Sequence, residues 1–336
     1  MESQRRNQLA EEIAKFRDVM GETQTNRQGL GFGSEKRVWW SKATDQEKRQ
    51  LVIQEVRNDA ENARHQIAVQ QGQQGQWTTW EDAMQRSLSW SDIWHLAPLR
   101  VGFIIKAVYD QLPTGDNLTR WQLSDDDKCP LCNGRQTLHH VLSACKVSLS
   151  CGKYTWRHNQ VLEKIVQAID EAKTNSEKVA TTSQARVQDN VSVLQGADDW
   201  MIAADLPSRR SYPTMITDDN VRPDIAVSSE KSKTVILVEL TVPYESNMSE
   251  SHEYKMAKYE DLVSHLHRKG YKAHLFAVEV GARGFAGTSV YNLLKRLGLS
   301  SQRRAWYLKQ VAEAAEKASY WIWLKRNDKN WTVDIQ

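Results

Sequence analysis

Four residues fix what the middle of this chain can become: Cys129-x2-Cys132-x7-His140-x4-Cys145. Zinc takes about four soft or borderline ligands in tetrahedral geometry, and two cysteines two residues apart reach one ion from a single tight turn. Pro130 and Gly134 supply turn chemistry around Cys132. The spacing to the flanking cysteines suits His139 as well, and His140 is preferred. Three of the four cysteines fall in this window, and clustering of that kind favours metal over disulfides. Cys151 lies outside the spacing and reads as a free thiol. The bland alternative is three buried cysteines beside a core histidine. Four ligands in register favour zinc, and a fully occupied ligand set makes the site structural rather than catalytic.

A second constellation follows. Asp224 comes after Pro223, which holds the preceding chain extended, and Glu239 sits 15 residues later in the apolar run Thr234–Val242. The polar stretch Ser228–Lys233 between them reads as a turn, so the two carboxylates face each other across a hairpin. Paired carboxylates repel unless a cation lies between them, and oxygen ligands suit Mg²⁺ or Mn²⁺. The alternative is two surface carboxylates on an ordinary hairpin. Thr241 shares the strand face with Glu239, so any lysine serving this site must come from elsewhere. The next helical pattern, about 250–269, aligns Met256, Tyr259, Leu262, Val263 and Leu266 in one stripe. Lys255 projects within that stripe, Lys258 flanks it, and Tyr259 shares its face. A lysine aimed at a core needs a partner, which Asp224 or Glu239 would be; the alternative is a packed stem with its head in water.

The pattern divides the chain into a helical half and a mixed half. Residues 2–20 read as a polar amphipathic helix and 21–35 as an exposed loop. A charged helix spans about 44–71, with Leu51, Ile53, Val56 and Ile67 as its sparse stripe. Gln70–Gln76 reads as a break, and Trp77–Glu81 as a helix start capped by threonine. Trp90 and Trp94 share a helix face. Residues 97–121 read as a helix interrupted near Pro113, and 154–172 as another. Ile225–Val227, Thr234–Val242 and Ala273–Val280 are strand-like. A last helical region runs from 301 to 326. The expected organisation is a helical linker over 1–120, a knuckle and following helix over 121–172, a mixed α/β domain over 193–300, and a terminal helix over 301–336. The polar stretch 173–192 is the expected boundary.

Of 336 residues, 40% are hydrophobic and 26% charged, an ordinary globular balance. The formal net charge of +3 supplies no global basic field, so a nucleic-acid surface must come from local clusters. Arg222, Arg268-Lys269, Arg303-Arg304 and Lys325-Arg326 are such candidates; most groups of this kind are solvated surface. No stretch approaches the roughly 18–20 apolar residues of a membrane helix. Seven of the 13 tryptophans precede residue 122.

These residues resemble the C-terminal part of the polyprotein of non-LTR retrotransposons that carry a restriction-like endonuclease. In that family a Cys-Cys-His-Cys knuckle precedes a nuclease of the PD-(D/E)XK class whose lysine is displaced onto a helix. Cys129, Cys132, His140 and Cys145 match the knuckle. Pro223-Asp224, Glu239 and the run Lys255, Lys258, Tyr259 match the nuclease. Trp77–Trp80, Ala107–Pro113, Tyr154–His158, Val242–Glu245 and Val280–Phe285 are similar too, so the likeness covers nearly the whole chain. It implies an α+β chain, with an all-α linker and zinc knuckle followed by an α/β restriction-endonuclease-like domain. It also implies a hydrolase that nicks DNA, with structural zinc, catalytic Mg²⁺ or Mn²⁺, DNA and the element's RNA as partners, and a nuclear location. No Tyr-x-Asp-Asp polymerase motif occurs, so the chain reads as a fragment without the reverse transcriptase. Two rival readings are a binding remnant that does not cut and a cellular repair or junction nuclease.

Overall fold

The computed structural model describes residues 43–86, 88–181, 192–213, 216 and 221–331. The helix expected over 2–20 and the loop over 21–35 lie outside them. The chain falls into two compact units, residues 1–78 and 79–336. Within the first, α1 spans Asp45–Val69. Its start is a capping box: Glu47 N donates to Thr44 Oγ1 at 3.3 Å, and Thr44 N donates back to Glu47 Oε2 at 2.8 Å. Its stripe stays open, with Ile53, Val56 and Ile67 all exposed. A 3₁₀ turn over Gly72–Thr79 follows, where the sequence predicts the start of an α-helix. Gly75 sets that geometry, because a Cβ there would sit 1.9 Å from the Ala68 carbonyl oxygen.

The second unit opens with the short helices α2 (Trp90–Trp94), α3 (Pro98–Val108) and α4 (Gly115–Arg120). Pro113 separates the last two, as its missing N–H requires. After the knuckle come α5 (Lys146–Ser150) and the long α6 (Lys153–Thr181). The sheet is built from β1 (Met201–Ala204), β2 (Ile225–Ser229), β3 (Thr234–Thr241) and β4 (Lys272–Glu279), in that spatial order. The first three pair antiparallel, and β4 lies parallel to β3. A parallel neighbour needs a crossover, which α7 (Met248–Arg268) supplies. Two helices close the chain, α8 (Thr288–Arg296) and α9 (Ser301–Leu324).

The strands read as near-continuous apolar runs because both sheet faces are covered. Ile225, Val227, Ile236, Val238 and Leu240 face Val161, Leu162, Ile165 and Ile169 of α6, Leu293 of α8, and Val311 and Ala315 of α9. Val235 and Leu237 face Tyr259, Leu262 and Leu266 of α7. The described part is thus a mixed α+β body, with a helical N-terminal portion and a four-stranded mixed sheet. A helix from the expected helical half lies in the same core as the sheet, so the polar stretch at 173–192 does not divide two cores. Neither β1 nor α8 is among the elements expected from the sequence.

Two short segments that stand out in the sequence meet here. Ala282 N donates to the Pro243 carbonyl at 2.7 Å. The buried Glu245 receives Arg283 Nε and Arg283 N, each at 2.6 Å. The Arg283 guanidinium lies between the Trp80 and Tyr244 rings, 4.0 Å from each centroid. Stripping one member from a buried ion pair leaves an uncompensated charge, at a cost of about 3–5 kcal/mol. Arg283→Met should lower unfolding free energy by about that amount in denaturant titration. A loss below about 1 kcal/mol would show that Glu245 finds other partners.

Candidate metal centre and carboxylate site

The knuckle is assembled by two turns. In the first, Cys129 N donates to the Gly134 carbonyl at 2.7 Å and Asn133 N to the Cys129 carbonyl at 2.8 Å. Asn133 adopts a left-handed φ of 60°, which asparagine tolerates. Gly134 leaves room for the ligands, since a Cβ would meet His140 Cε1 at 3.3 Å and Cys132 Sγ at 3.5 Å. The second turn is a π-type segment, His140–Ala144. In an α-helix, residues five apart point roughly 140° away from each other. The wider π turn closes i toward i+5 and brings His140 and Cys145 together.

The ligand atoms of Cys129, Cys132, His140 and Cys145 all lie within 4.8 Å of one another. Cys132 Sγ is 3.2 Å from His140 Nε2 and 3.7 Å from Cys145 Sγ. Ligands of one tetrahedral zinc with ~2.3 Å zinc–sulfur bonds sit about 3.8 Å apart, so the donor set fits that ion. Burial, then the neighbouring His139, lower the His140 pKa, keeping the imidazole neutral as a ligand must be. Burial opposes the Cys145 thiolate, but hydrogen bonds from Ser148 lead a set that draws its pKa down overall. His139 turns away, packing edge-on against Tyr244 at 5.0 Å. Cys151 is a free thiol near the Ser148 carbonyl.

The second site sits where β2 begins. Ile225 pairs with Val238, which sets Asp224 beside Glu239 across the hairpin. The two are stitched together: Asp224 N donates to Glu239 Oε2 at 3.1 Å, and Leu240 N donates to Asp224 Oδ2 at 2.7 Å. Lys255 Nζ is paired directly with Glu239 Oε1, and Lys258 Nζ lies 4.0 Å from the same oxygen. Lys255 is therefore the nearer lysine. The Tyr259 hydroxyl donates to the Arg222 carbonyl at 2.8 Å and also interacts with the Glu239 carboxylate. Burial, then the charge of Glu239, push the Tyr259 phenol far above its ordinary range, so it remains a donor. Tyr212 donates to the Pro223 carbonyl at 2.8 Å, holding the chain just ahead of Asp224. The Arg222 guanidinium lies over the Tyr212 ring, 5.0 Å away.

Two neighbours were not singled out by sequence. His158 on α6 places Nε2 3.2 Å from Asp224 Oδ2 and 3.2 Å from the Leu240 carbonyl. Burial disfavours its charged form, but the hydrogen bond to Asp224 and that residue's charge outweigh it and raise the His158 pKa. Glu279 at the end of β4 is buried beside Thr241, its register partner, and accepts from Ser289 at 2.6 Å. Burial raises its carboxyl pKa, against hydrogen bonds from Ser289 and His252. His158 follows Arg157 on a helix whose stripe is otherwise apolar, and polar residues interrupting such a stripe are the signal that would have found it.

The basic pairs expected to track a nucleic-acid backbone are mostly engaged within the chain. Arg303 is bound by Glu171, Arg304 is buried and donates to the Leu299 carbonyl at 2.7 Å, and Arg326 lies over the Trp323 ring. Lys325 lies 3.7 Å from Asp328.

Residues 74–151 match the family described as zinc-binding in reverse transcriptase. No curated protein matches the chain. Residues 74–151 are thus a zinc-binding domain of the kind found in reverse-transcriptase-type, retrotransposon-like proteins, and the three cysteines and His140 fall inside it. Protein purified without chelator should contain one zinc per chain. His140→Asn and Cys132→Ser should each lose it, while His139→Asn and Cys151→Ser keep it, as read by elemental analysis. Retention of zinc by His140→Asn would contradict this ligand set.

Proposed function

We propose that the hairpin site belongs to a divalent-metal-dependent DNA endonuclease of the restriction-like, PD-(D/E)XK type, which nicks DNA beside the zinc domain. One observation carries the reading. Asp224 and Glu239 are held side by side on a buried hairpin, with an ammonium group from the crossover helix on Glu239. Two adjacent carboxylates with a partly exposed edge suit a hard cation, and Asp224 keeps 16% of its side chain accessible.

Asp224 and Glu239 would hold Mg²⁺ or Mn²⁺, which supplies an activated water and charge stabilisation at the scissile phosphate. The chain's own groups do the rest. Lys255 balances the charge of Glu239 and lies where it can face a phosphate oxygen or orient the attacking water. Lys258, 36% exposed, stands one turn along as a second cation. The Tyr212 and Tyr259 hydroxyls fix the carbonyls of Arg222–Asp224 and so set the entry of β2. In this reading the chain is a retrotransposon-type nuclease fragment acting in the nucleus on DNA, with the element's RNA as a second partner. A folded remnant that binds without cutting is the outcome the assay below separates from it.

Plasmid nicking in Mg²⁺ or Mn²⁺ is the test. Metal-supplied stabilisation of several kcal/mol corresponds to roughly 10³-fold in rate, and Asp224→Ala should lose about that much. DNA affinity measured in chelator should change by less than about threefold, because phosphate contacts dominate binding. Lys255→Ala should slow nicking with a smaller loss of metal affinity, since a lysine stabilises charge without ligating the ion. Nicking by Asp224→Ala at the wild-type rate would refute the assignment. Absence of nicking by the wild type under either metal would favour the binding remnant.

A further inference from the structure

The carboxylate site receives a group from outside the hairpin and the crossover helix. His158 projects from α6, whose first turns are pinned by buried hydrogen bonds. Arg157 donates to the Leu142 carbonyl at 2.7 Å, the Ser319 hydroxyl at 3.1 Å and the Val242 carbonyl at 2.9 Å. Lys153, one turn earlier, donates to the Lys325 and Asp328 carbonyls at 2.8 and 2.9 Å. The imidazole therefore reaches Asp224 from a fixed base.

Its neighbours decide where its proton lies. Nε2 is 3.2 Å from two oxygens, Asp224 Oδ2 and the Leu240 carbonyl, and both are acceptors. Nε2 must then carry a hydrogen, and a protonated ring nitrogen has no lone pair to offer a metal. Nδ1 lies 3.2 Å from the Asn159 side-chain oxygen, which holds the ring from its other edge. Oδ2 of Asp224 already accepts from Leu240 N at 2.7 Å, so both hydrogen bonds to this carboxylate fall on the same oxygen. Among the described residues no hydrogen bond falls on Oδ1.

We propose that His158 is a positioning residue for the carboxylate site: its Nε2–H fixes the Asp224 carboxylate through Oδ2 and leaves Oδ1 as the oxygen offered to a divalent cation. This rests on the reading of Asp224 and Glu239 as a cation site. Groups that orient a ligand in this way are worth roughly 10–100-fold in metal affinity when removed. The same hydrogen bonds tie β2 and β3 to α6, so the site's geometry depends on a helix anchored at the knuckle.

The test is Mn²⁺ binding to the full chain, with free Mn²⁺ counted by electron paramagnetic resonance. Asp224→Asn, compared with wild type, establishes whether the carboxylates bind the ion. His158→Leu, which fills the space without a donor, should raise the Mn²⁺ Kd by about 10–100-fold with zinc content unchanged. His158→Gln, whose amide N–H can reach the same oxygen, should recover to within about threefold of wild type, a rescue that a packing role would not give. A Kd for His158→Leu within twofold of wild type would overturn the role of His158 alone. Equal weakening in the Leu and Gln variants would also overturn it, by showing that shape rather than the hydrogen bond matters. Wild-type Mn²⁺ binding that Asp224→Asn leaves unchanged would instead overturn the carboxylate reading, and the role of His158 with it.

Discussion

A buried guanidinium organises the second unit. Arg157 is 2% exposed, and burial alone is enough to draw its pKa down to about 10. Removing such a charge from water costs several kcal/mol unless its donors are met. Its two terminal nitrogens are met by three elements at once, the π turn of the knuckle at Leu142, α9 at Ser319, and the chain leaving β3 at Val242, while the buried Nε has no hydrogen-bond partner among the described residues. The knuckle, the terminal helix and the sheet can therefore satisfy this one residue only in a single mutual arrangement. Its neighbours extend the effect. Lys153, fully buried, ties the end of α9 to the start of α6, and His158 touches the carboxylate site.

The zinc-binding cluster and the proposed cation site differ in the donors they offer. Three sulfurs and an imidazole nitrogen, clustered within 4.8 Å, suit zinc and leave no open coordination position. Such a site holds a fold. The hairpin site offers only carboxylate oxygens, which suit Mg²⁺ or Mn²⁺, and it carries lysines that a structural site has no need of. The match of residues 74–151 to a zinc-binding family of reverse transcriptases bears on the first site alone. The second is argued from its own geometry and from the resemblance in its residues.

Much of this arrangement was legible in the sequence because it rests on short-range rules. Ligand spacing identified the knuckle, and the proline before Asp224 with the polar turn before Thr234 placed the hairpin. The helical stripe of α7 correctly put Lys255 nearer to Glu239 than Lys258. What was not legible depends on tertiary contacts. The choice between His139 and His140 is made by a π turn that spacing does not announce. β1 is four residues long, too short for alternation to register, and exists because Asp199 and β2 anchor it. The helix expected at Trp77–Glu81 gives way to a 3₁₀ turn, because Gly75 must pass against Ala68. The polar stretch at 173–192 resembles a boundary, yet α6 buries Val161, Ile165 and Ile169 in the sheet's own core. The basic pairs looked available because sequence shows charge without partners, and Glu171 and the Leu299 carbonyl were out of view.

Anomalous diffraction from crystals grown with Mn²⁺, recorded at the zinc and manganese edges, tests the central claim most directly: one chain holding two kinds of metal at two separate sites. The account predicts a zinc peak among Cys129, Cys132, His140 and Cys145. It predicts a separate manganese peak bonded to the carboxylates of Asp224 and Glu239, with metal–oxygen distances near the ~2.0–2.2 Å typical of a hard divalent ion. A manganese peak elsewhere, with Lys255 still closed on Glu239 and no density between the carboxylates, would contradict it.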